Sequence, residues 1–293
     1  MNFIKRVGLG IYPIFLYNRT KQMIERDGQL LANYEVLQHF QPDEHAFVEK
    51  VTDWMNLVLD QYAPVVTPFL NPREVAIVSM IIGQDDEIHY EFFGGYPNAE
   101  NQRCVLAPTY YEIQPADFEI TPFDIHYASK FNTIEHRQIL GTILGQGVER
   151  NRIGDIIQAG EKWQFFVDEK IADFLSFEMD KIGGSKVKLV KINHFDQIIQ
   201  PKSDWQPMEI TLSSLRFDTM ISDGFRIPRA KAKLLIEGGA AKLNWAQVQD
   251  AKRLLNPGDI ASIRGYGRLK YVATQMETKK GKIRVAIEII KNK

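Results

Sequence analysis

Glu209 to Tyr271 reads EITLSSLRFDTMISDGFRIPRAKAKLLIEGGAAKLNWAQVQDAKRLLNPGDIASIRGYGRLKY, and the parse of this stretch decides the fold of the C-terminal third. Ser213 or Ser214 can cap a first helix that turns Leu215, Met220 and Ile221 inward and stops at Asp223-Gly224. Pro228 opens a second, with Ala232, Leu235 and Ile236 inward and Gly238-Gly239 as terminator. Arg229, Lys233 and, nearer the edge, Lys231 then project outward, where cations reach successive phosphates without being buried. Ala241 to Asn244 alternates as a strand, and Asn256-Pro257-Gly258-Asp259 makes a turn that feeds Ile260, Ser262 and Arg264. The spacing predicts a helix pair on a small sheet. Arg216, Arg229, Lys231, Lys233 and Lys242 are expected to share a surface with Asn244 and Trp245, offering phosphate contacts beside an amide and a ring. Trp245 can stack on a base or cover the helices. The reading requires its cations to lie together and free of internal carboxylates.

Working outward, charge supports this assignment. The 293 residues carry a net charge of only -1. Residues 1–184 nevertheless hold 15 Lys+Arg against 27 Asp+Glu, while residues 185–293 hold 21 against 10. Opposite signs in the two parts suggest a polyanion-binding end and another task for the rest. Arg264, Arg268 and Lys270, with Lys279, Lys280, Lys282 and Arg284 on a terminal hairpin, either extend the RNA surface around Tyr266 or form a solvated face. Gly265 and Gly267 are read as permitting a strand bend, since no third glycine opens a helix after them.

Toward the N-terminus, Pro42, Asp43 and Glu44 open a helix with Phe47, Val51, Trp54, Val58 and Tyr62 on one face. Asn71-Pro72 starts another through Ile77, Ile81 and Ile82, stopping at Gly83. Strands are predicted around Ile88–Phe93, Arg103–Ala107, Phe118–Tyr127, Lys162–Val167 and Lys186–Ile192, with a hairpin turn at Gly94-Gly95. Helices are predicted over Ile134–Gly145, capped by Thr133, and Asp168–Ile182, closed by Gly183-Gly184. Gln200 to Pro207 reads as a linker. The division is thus an extension at 1–33 with no assigned function, a helical segment at 34–84, an α+β domain at 85–200, and a basic module at 208–293. The fold class is α+β.

The module resembles the S4 RNA-binding domain through five ordered blocks: Leu215-Arg216-Phe217-Asp218, Pro228-Arg229-Ala230-Lys231-Ala232, Leu235-Ile236-Glu237-Gly238, Lys242-Leu243-Asn244 and Pro257-Gly258-Asp259. That family often has serine where Pro228 stands and glycine where Trp245 stands. From Tyr34 to Lys293 the chain resembles the YlmH family, on Phe92-Phe93-Gly94-Gly95-Tyr96, Leu140-Gly141-Thr142-Ile143-Leu144-Gly145, Arg152-Ile153-Gly154-Asp155-Ile156 and Arg264-Gly265-Tyr266-Gly267-Arg268. The resemblance implies a helical segment, a central α+β (RRM-like) domain and a C-terminal S4 domain. It also implies an RNA-binding factor that meets rRNA and tRNA on the large ribosomal subunit in rescue of stalled peptidyl-tRNA complexes.

Other chemistries find little footing. The six histidines have no ligand spacing, Cys104 has no neighbouring ligand, and Ser213 and Ser214 lack a base partner, so no metal, no cofactor and no small-molecule substrate are expected. Arg137, Arg150 and Arg152, in the acidic part, either form a secondary RNA contact or, the favoured expectation, sit in internal ion pairs. The alternative is an RNA-modifying enzyme of pseudouridine synthase or methyltransferase type delivered by the S4 module, but residues 34–193 lack a glycine-rich nucleotide fingerprint. The expected activity is non-enzymatic. A lone cysteine and the absence of an apolar run of about 20 residues point to a cytoplasmic protein off the membrane, and the basic-flanked run Phe3 to Tyr17 lacks a cleavage site for export.

Overall fold

The computed structural model describes residues 37, 40–83, 85–201, 205–277 and 281–291, so the extension at 1–33 and Lys279 and Lys280 lie outside them. The chain divides into two compact units between residues 202 and 203.

In the first unit a single 3-10 turn, Pro42–Glu44, leads into α1, His45–Gln61. Strand β1, Val65–Val66, precedes α2, Pro72–Ile82. The Asn71 side chain accepts the N–H groups of Arg73 and Glu74 at 2.9 and 3.1 Å while Glu74 reaches back to the Asn71 N–H at 2.8 Å, a complete capping box. Strands β2, Ile88–Phe93, and β3, Arg103–Pro108, complete a three-stranded antiparallel sheet of order β1-β3-β2. Val51 and Val58 of α1 and Val78 and Ile82 of α2 share one core with Ile88, Cys104 and Leu106. The helices at 34–84 are therefore not a separate segment. They need the apolar face of β2 and β3, which moves the expected boundary at residue 84 past Pro108. Burial in this core pushes the Cys104 thiol pKa far up and leaves it inert.

A second layer follows: β4 Ile120–Tyr127, α3 His136–Gly145, β5 Ile153–Ala159, β6 Lys162–Asp168, α4 Glu169–Glu178, β7 Lys181–Ile182 and β8 Ser185–Lys191. The sheet is antiparallel with order β5-β6-β4-β8-β7. Period-two alternation turns Phe123, Ile125, Phe165, Val167 and Leu189 toward Ile139 and Ile143 of α3 and Ala172 and Leu175 of α4. Three expectations change here. Helix α3 has Glu135 as N-cap, not Thr133. Helix α4 ends at Glu178 because Lys181 and Ile182 pair with Lys186 and Ser185, so Gly183-Gly184 is a hairpin turn. Gly94-Gly95 does not close a tight hairpin, since nine residues separate β2 from β3. Instead Gly95 has φ +96°, and a Cβ there would lie 2.3 Å from the Phe166 ring.

The second unit comprises β9 Gln206–Leu212, α5 Phe217–Phe225, α6 Arg229–Glu237, β10 Ala241–Leu243, β11 Ala246–Gln247, β12 Ile260–Ile263, β13 Gly267–Glu277 and β14 Ile283–Lys291. Its antiparallel sheet has order β11-β10-β12-β13-β14-β9. Both helices pack on one face, with Phe217, Met220, Ile221, Ala232 and Ile236 against Leu269, Tyr271, Val285 and Ile287. The stretch read as a linker ends in β9, whose Gln206 to Leu212 pair residue by residue with Ile289 to Ile283. Gly267 does more than permit a bend. At φ +128° its missing Cβ would sit 1.9 Å from the Ile290 carbonyl oxygen, so only glycine lets β13 approach β14 there. The observed class is α+β throughout.

Candidate nucleic-acid interface

Helix α5 starts at Phe217 with Arg216 in the N-cap position, and neither Ser213 nor Ser214 caps it. The Phe217 and Asp218 N–H groups donate instead to the carbonyls of Arg253 and Ala251, at 2.8 and 3.0 Å. This pairing leaves the Asp218 side chain turned under the helix start, where it is 2% exposed. Its carboxylate accepts Nε and Nη2 of Arg216 at 3.0 and 2.9 Å. It also accepts Nε and Nη2 of Arg229, the first residue of α6, at 3.0 and 3.2 Å. Burial alone would raise the Asp218 pKa, but the hydrogen bonds from the two guanidinium groups outweigh it and hold the carboxyl below its usual range.

Two of the expected cations are thus held by an internal carboxylate, against the requirement that they be free. The Asp218 carboxylate does not use up their donors, however. Each guanidinium spends two of its five N–H donors on Asp218, and the Arg216 and Arg229 side chains remain 30% and 47% exposed. A fixed pair of forks stands at the α5–α6 junction, with Asp250 acting on Arg216 and Asp223 close enough to feel the charge of Arg229. Lys233, one turn along α6 from Arg229, faces the same side and makes only a 3.6 Å exposed pair with Glu237.

The remaining candidates do not join this group. Lys231 is two residues from Arg229, about 200° around the helix, and its Nζ lies 5.4 Å from the centre of the Tyr266 ring. Tyr266 in turn packs edge-on against Phe225. Lys231 therefore belongs with the exposed Arg264 at the turn between β12 and β13. Lys242 sits between buried Ala241 and Leu243 and points away from the helix-covered face. It is in register with Ser262, which is in register with Arg268, so these lie side by side on the outer sheet face. The single surface expected from sequence is replaced by three neighbourhoods of one small unit, because helix and strand periods send the cations in different directions.

Asn244 and Trp245 are the two turn residues between Leu243 and Ala246 in the β10–β11 hairpin. Both have positive φ, 49° and 67°, the primed-turn geometry such a loop demands. The Asn244 amide is not an open RNA contact. Its Nδ2 donates to Asp259 Oδ1 at 2.8 Å and its Oδ1 accepts the Ile260 N–H at 2.8 Å, which locks the turn to β12. Asparagine tolerates this backbone readily and tryptophan does not. Trp245 is half-buried and lies outside the core cluster of the unit.

In the first unit, Arg152 Nη1 pairs with Asp168 at 3.1 Å, Arg137 with the adjacent Glu135 at 2.6 Å, and Arg150 Nη1 donates to the Ile153 carbonyl at 2.5 Å. Sequence reading named Asp218 as the end of the Leu215-Arg216-Phe217-Asp218 block but gave it no role. Its signal was present as an acid among the basic blocks, two residues from one arginine.

The chain is 37% identical to the ribosome-associated protein quality control protein P2 of Bacillus subtilis over 254 residues, covering 87% of this chain and 98% of that protein. The chain belongs to the YlmH family. Two family models of YlmH proteins match, described as "YlmH, N-terminal" over residues 43–111 and "Putative RNA-binding domain in YlmH" over residues 114–196. These YlmH segments meet between β3 and β4, which belong to different sheets of the first unit. A solved chain, cell division protein ylmH from Streptococcus pneumoniae, is 30% identical with a TM-score of 0.48, covering 55% of this chain and 98% of that one.

Proposed function

We propose that this protein is a non-enzymatic RNA-binding factor that docks through its C-terminal unit on structured rRNA and tRNA. Its place is the large ribosomal subunit carrying peptidyl-tRNA, in rescue or quality control of stalled translation, in the cytoplasm. The observation that carries the reading is the Asp218 clamp. A buried carboxylate that aims two half-exposed guanidinium groups outward removes their rotameric freedom in advance, which suits recognition of paired phosphate oxygens. The two helices on an antiparallel sheet, with the five sequence blocks, support an S4-type module at residues 208–293. The order β5-β6-β4-β8 with both helices on one face supports an RRM-like central domain within residues 114–196. The name of the Bacillus relative supports the ribosome as partner.

Within this reading Arg216, Arg229 and Lys233 grip the backbone, Trp245 stacks at the hairpin tip, and Lys231, Arg264, Lys242 and Arg268 give flanking phosphate contacts. The test is co-sedimentation of the full chain with purified large ribosomal subunits through a salt series. Replacing Arg229 and Lys233 with alanine should weaken binding by on the order of tenfold or more and lower the salt slope by roughly 1 to 2. Unchanged sedimentation at every salt concentration overturns the reading.

A further inference from the structure

The sheet of order β5-β6-β4-β8-β7 has two faces, and only one is covered by α3 and α4. On the other face the centre is closed as well. Phe166 is fully buried against Tyr96, whose ring stacks on it at 5.2 Å, and shares a cluster with Phe69. Beside it Gln164, 2% exposed, donates to the Gln197 carbonyl at 3.0 Å and accepts the Ile199 N–H at 2.9 Å. Aromatic stacking of bases at the middle of this sheet is therefore blocked by the chain's own residues.

The far end of the same face is open, and it is basic. In the antiparallel register His126 lies opposite Lys188, and Lys181 lies opposite Lys186. Alternation puts Lys186, Lys188 and His126 on the side away from buried Ser185, Leu189 and Ile125, and Lys162 shares the side of Gln164. All four lysines are exposed and none forms an ion pair among the described residues. Of the carboxylates nearby, Asp124 is on His126 at 3.0 Å and Glu161 accepts the Ser129 hydroxyl at 2.6 Å, while exposed Asp180 precedes Lys181 in the chain. Like charges directly across a ladder destabilise it, so a Lys181–Lys186 pair works against the hairpin that carries it. In a unit whose overall balance is acidic, this unpaired row stands out as local.

We propose that this end of the sheet, through Lys181, Lys186, Lys188 and Lys162, is a second contact surface for the phosphate backbone of structured RNA. It rests on the RNA-binding reading above but on residues of the other unit. The chemistry favours nucleic acid over protein. Protein interfaces are depleted in lysine and built on aromatic or aliphatic anchors, whereas this patch is lysine-rich, with Val190, half-buried, beside Lys188 on the same face. Strand spacing sets Lys186 and Lys188 roughly 6.6 Å apart, so they can meet separate phosphates.

The experiment measures binding of the full chain to deproteinised ribosomal RNA over a salt series. Variants are Lys181, Lys186 and Lys188 changed together to alanine or to arginine, with the Arg229/Lys233 alanine variant in parallel. The alanine set should lose about tenfold in affinity and about 2 to 3 in salt slope, and the arginine set should keep both. Lys186→Glu should raise the unfolding temperature while lowering RNA affinity, a combination that a purely structural lysine does not give. If the Arg229/Lys233 variant loses binding and the lysine set does not, the second surface is wrong and the C-terminal reading stands. Loss in the lysine set alone upholds the second surface and overturns the C-terminal reading, and no loss in either overturns both.

Discussion

The Asp218 carboxylate meets Arg229 side-on across the α5–α6 junction, with Nε to Oδ2 at 3.0 Å and Nη2 to Oδ1 at 3.2 Å. With Arg216 held in the same manner, the clamp fixes both helix starts. Asp218→Asn keeps the shape and removes the charge, leaving two guanidinium groups facing each other. Breaking a fully buried pair costs about 3–5 kcal/mol, but these arginines are 30% and 47% exposed. Solvent screening reduces the expected loss to about 2 kcal/mol, measurable by urea unfolding. The pH dependence has a definite sign. The folded carboxyl pKa is held below its usual value of 3.8, so the folded state binds this proton less readily than the unfolded state. The contribution is complete above that ordinary value and is lost as the pH falls through the lowered one. The gap between wild type and Asp218→Asn should close at strongly acidic pH.

Arg229→Lys separates charge from geometry. Lysine keeps the positive charge that draws RNA in, but a single ammonium cannot hold Asp218 with two parallel donors and still present a fork. The salt slope of ribosome binding should stay unchanged, while affinity falls on the order of tenfold, the worth of one charged hydrogen bond. A slope that falls with affinity would mean that Arg229 acts only as a point charge.

Trp245 occupies a backbone conformation, φ 67°, that a bulky side chain rarely accepts. Trp245→Gly relieves a cost of about 1 kcal/mol, which should raise the unfolding midpoint of the C-terminal unit by about 4–8 °C. The same change should weaken RNA binding by about 1–3 kcal/mol if the ring stacks on a base. A variant that is both more stable and unimpaired in binding would assign the ring to packing alone.

Local chemistry was legible in the sequence and long-range geometry was not. Asn71-Pro72 announced α2, and strand-like runs bounded by turns placed β2, β3 and β6 within a residue or so. The end of α4 was misread because Gly183-Gly184 terminates a helix as well as it turns a hairpin, and only pairing of Lys181 with Lys186 decides between them. Strand β9 was hidden because its partner, β14, lies some seventy residues on. The candidate site failed in the same way. Residue types were visible, but whether Lys231 and Lys242 share a surface with Arg229 depends on which way a helix turn and a strand pleat point them. The burial of Asp218 depends on an arginine eleven residues away, brought near by helix packing.

Distance along the chain also hid the contact between Tyr96 and Asp155, which joins two blocks far apart in sequence. Asp155, 9% exposed, accepts the Tyr96 hydroxyl at 2.8 Å, the Glu100 and Asn101 N–H groups at 2.7 and 3.1 Å, and the Asn101 amide at 2.6 Å. It thereby ties the long β2–β3 loop to β5. Burial, with the charge of Asp155 beside it, raises the Tyr96 pKa, so the phenol stays a donor through the neutral range. Asp155→Ala strands two backbone N–H groups and two side-chain donors, and should cost about 3 kcal/mol, a fall of roughly 6–12 °C in the midpoint of the first unit. Tyr96→Phe removes a single donor, keeps the stack on Phe166, and should cost only about 1 kcal/mol. Calorimetry of both variants checks the ratio. Equal losses would show that the phenol, not the loop backbone, is what Asp155 holds.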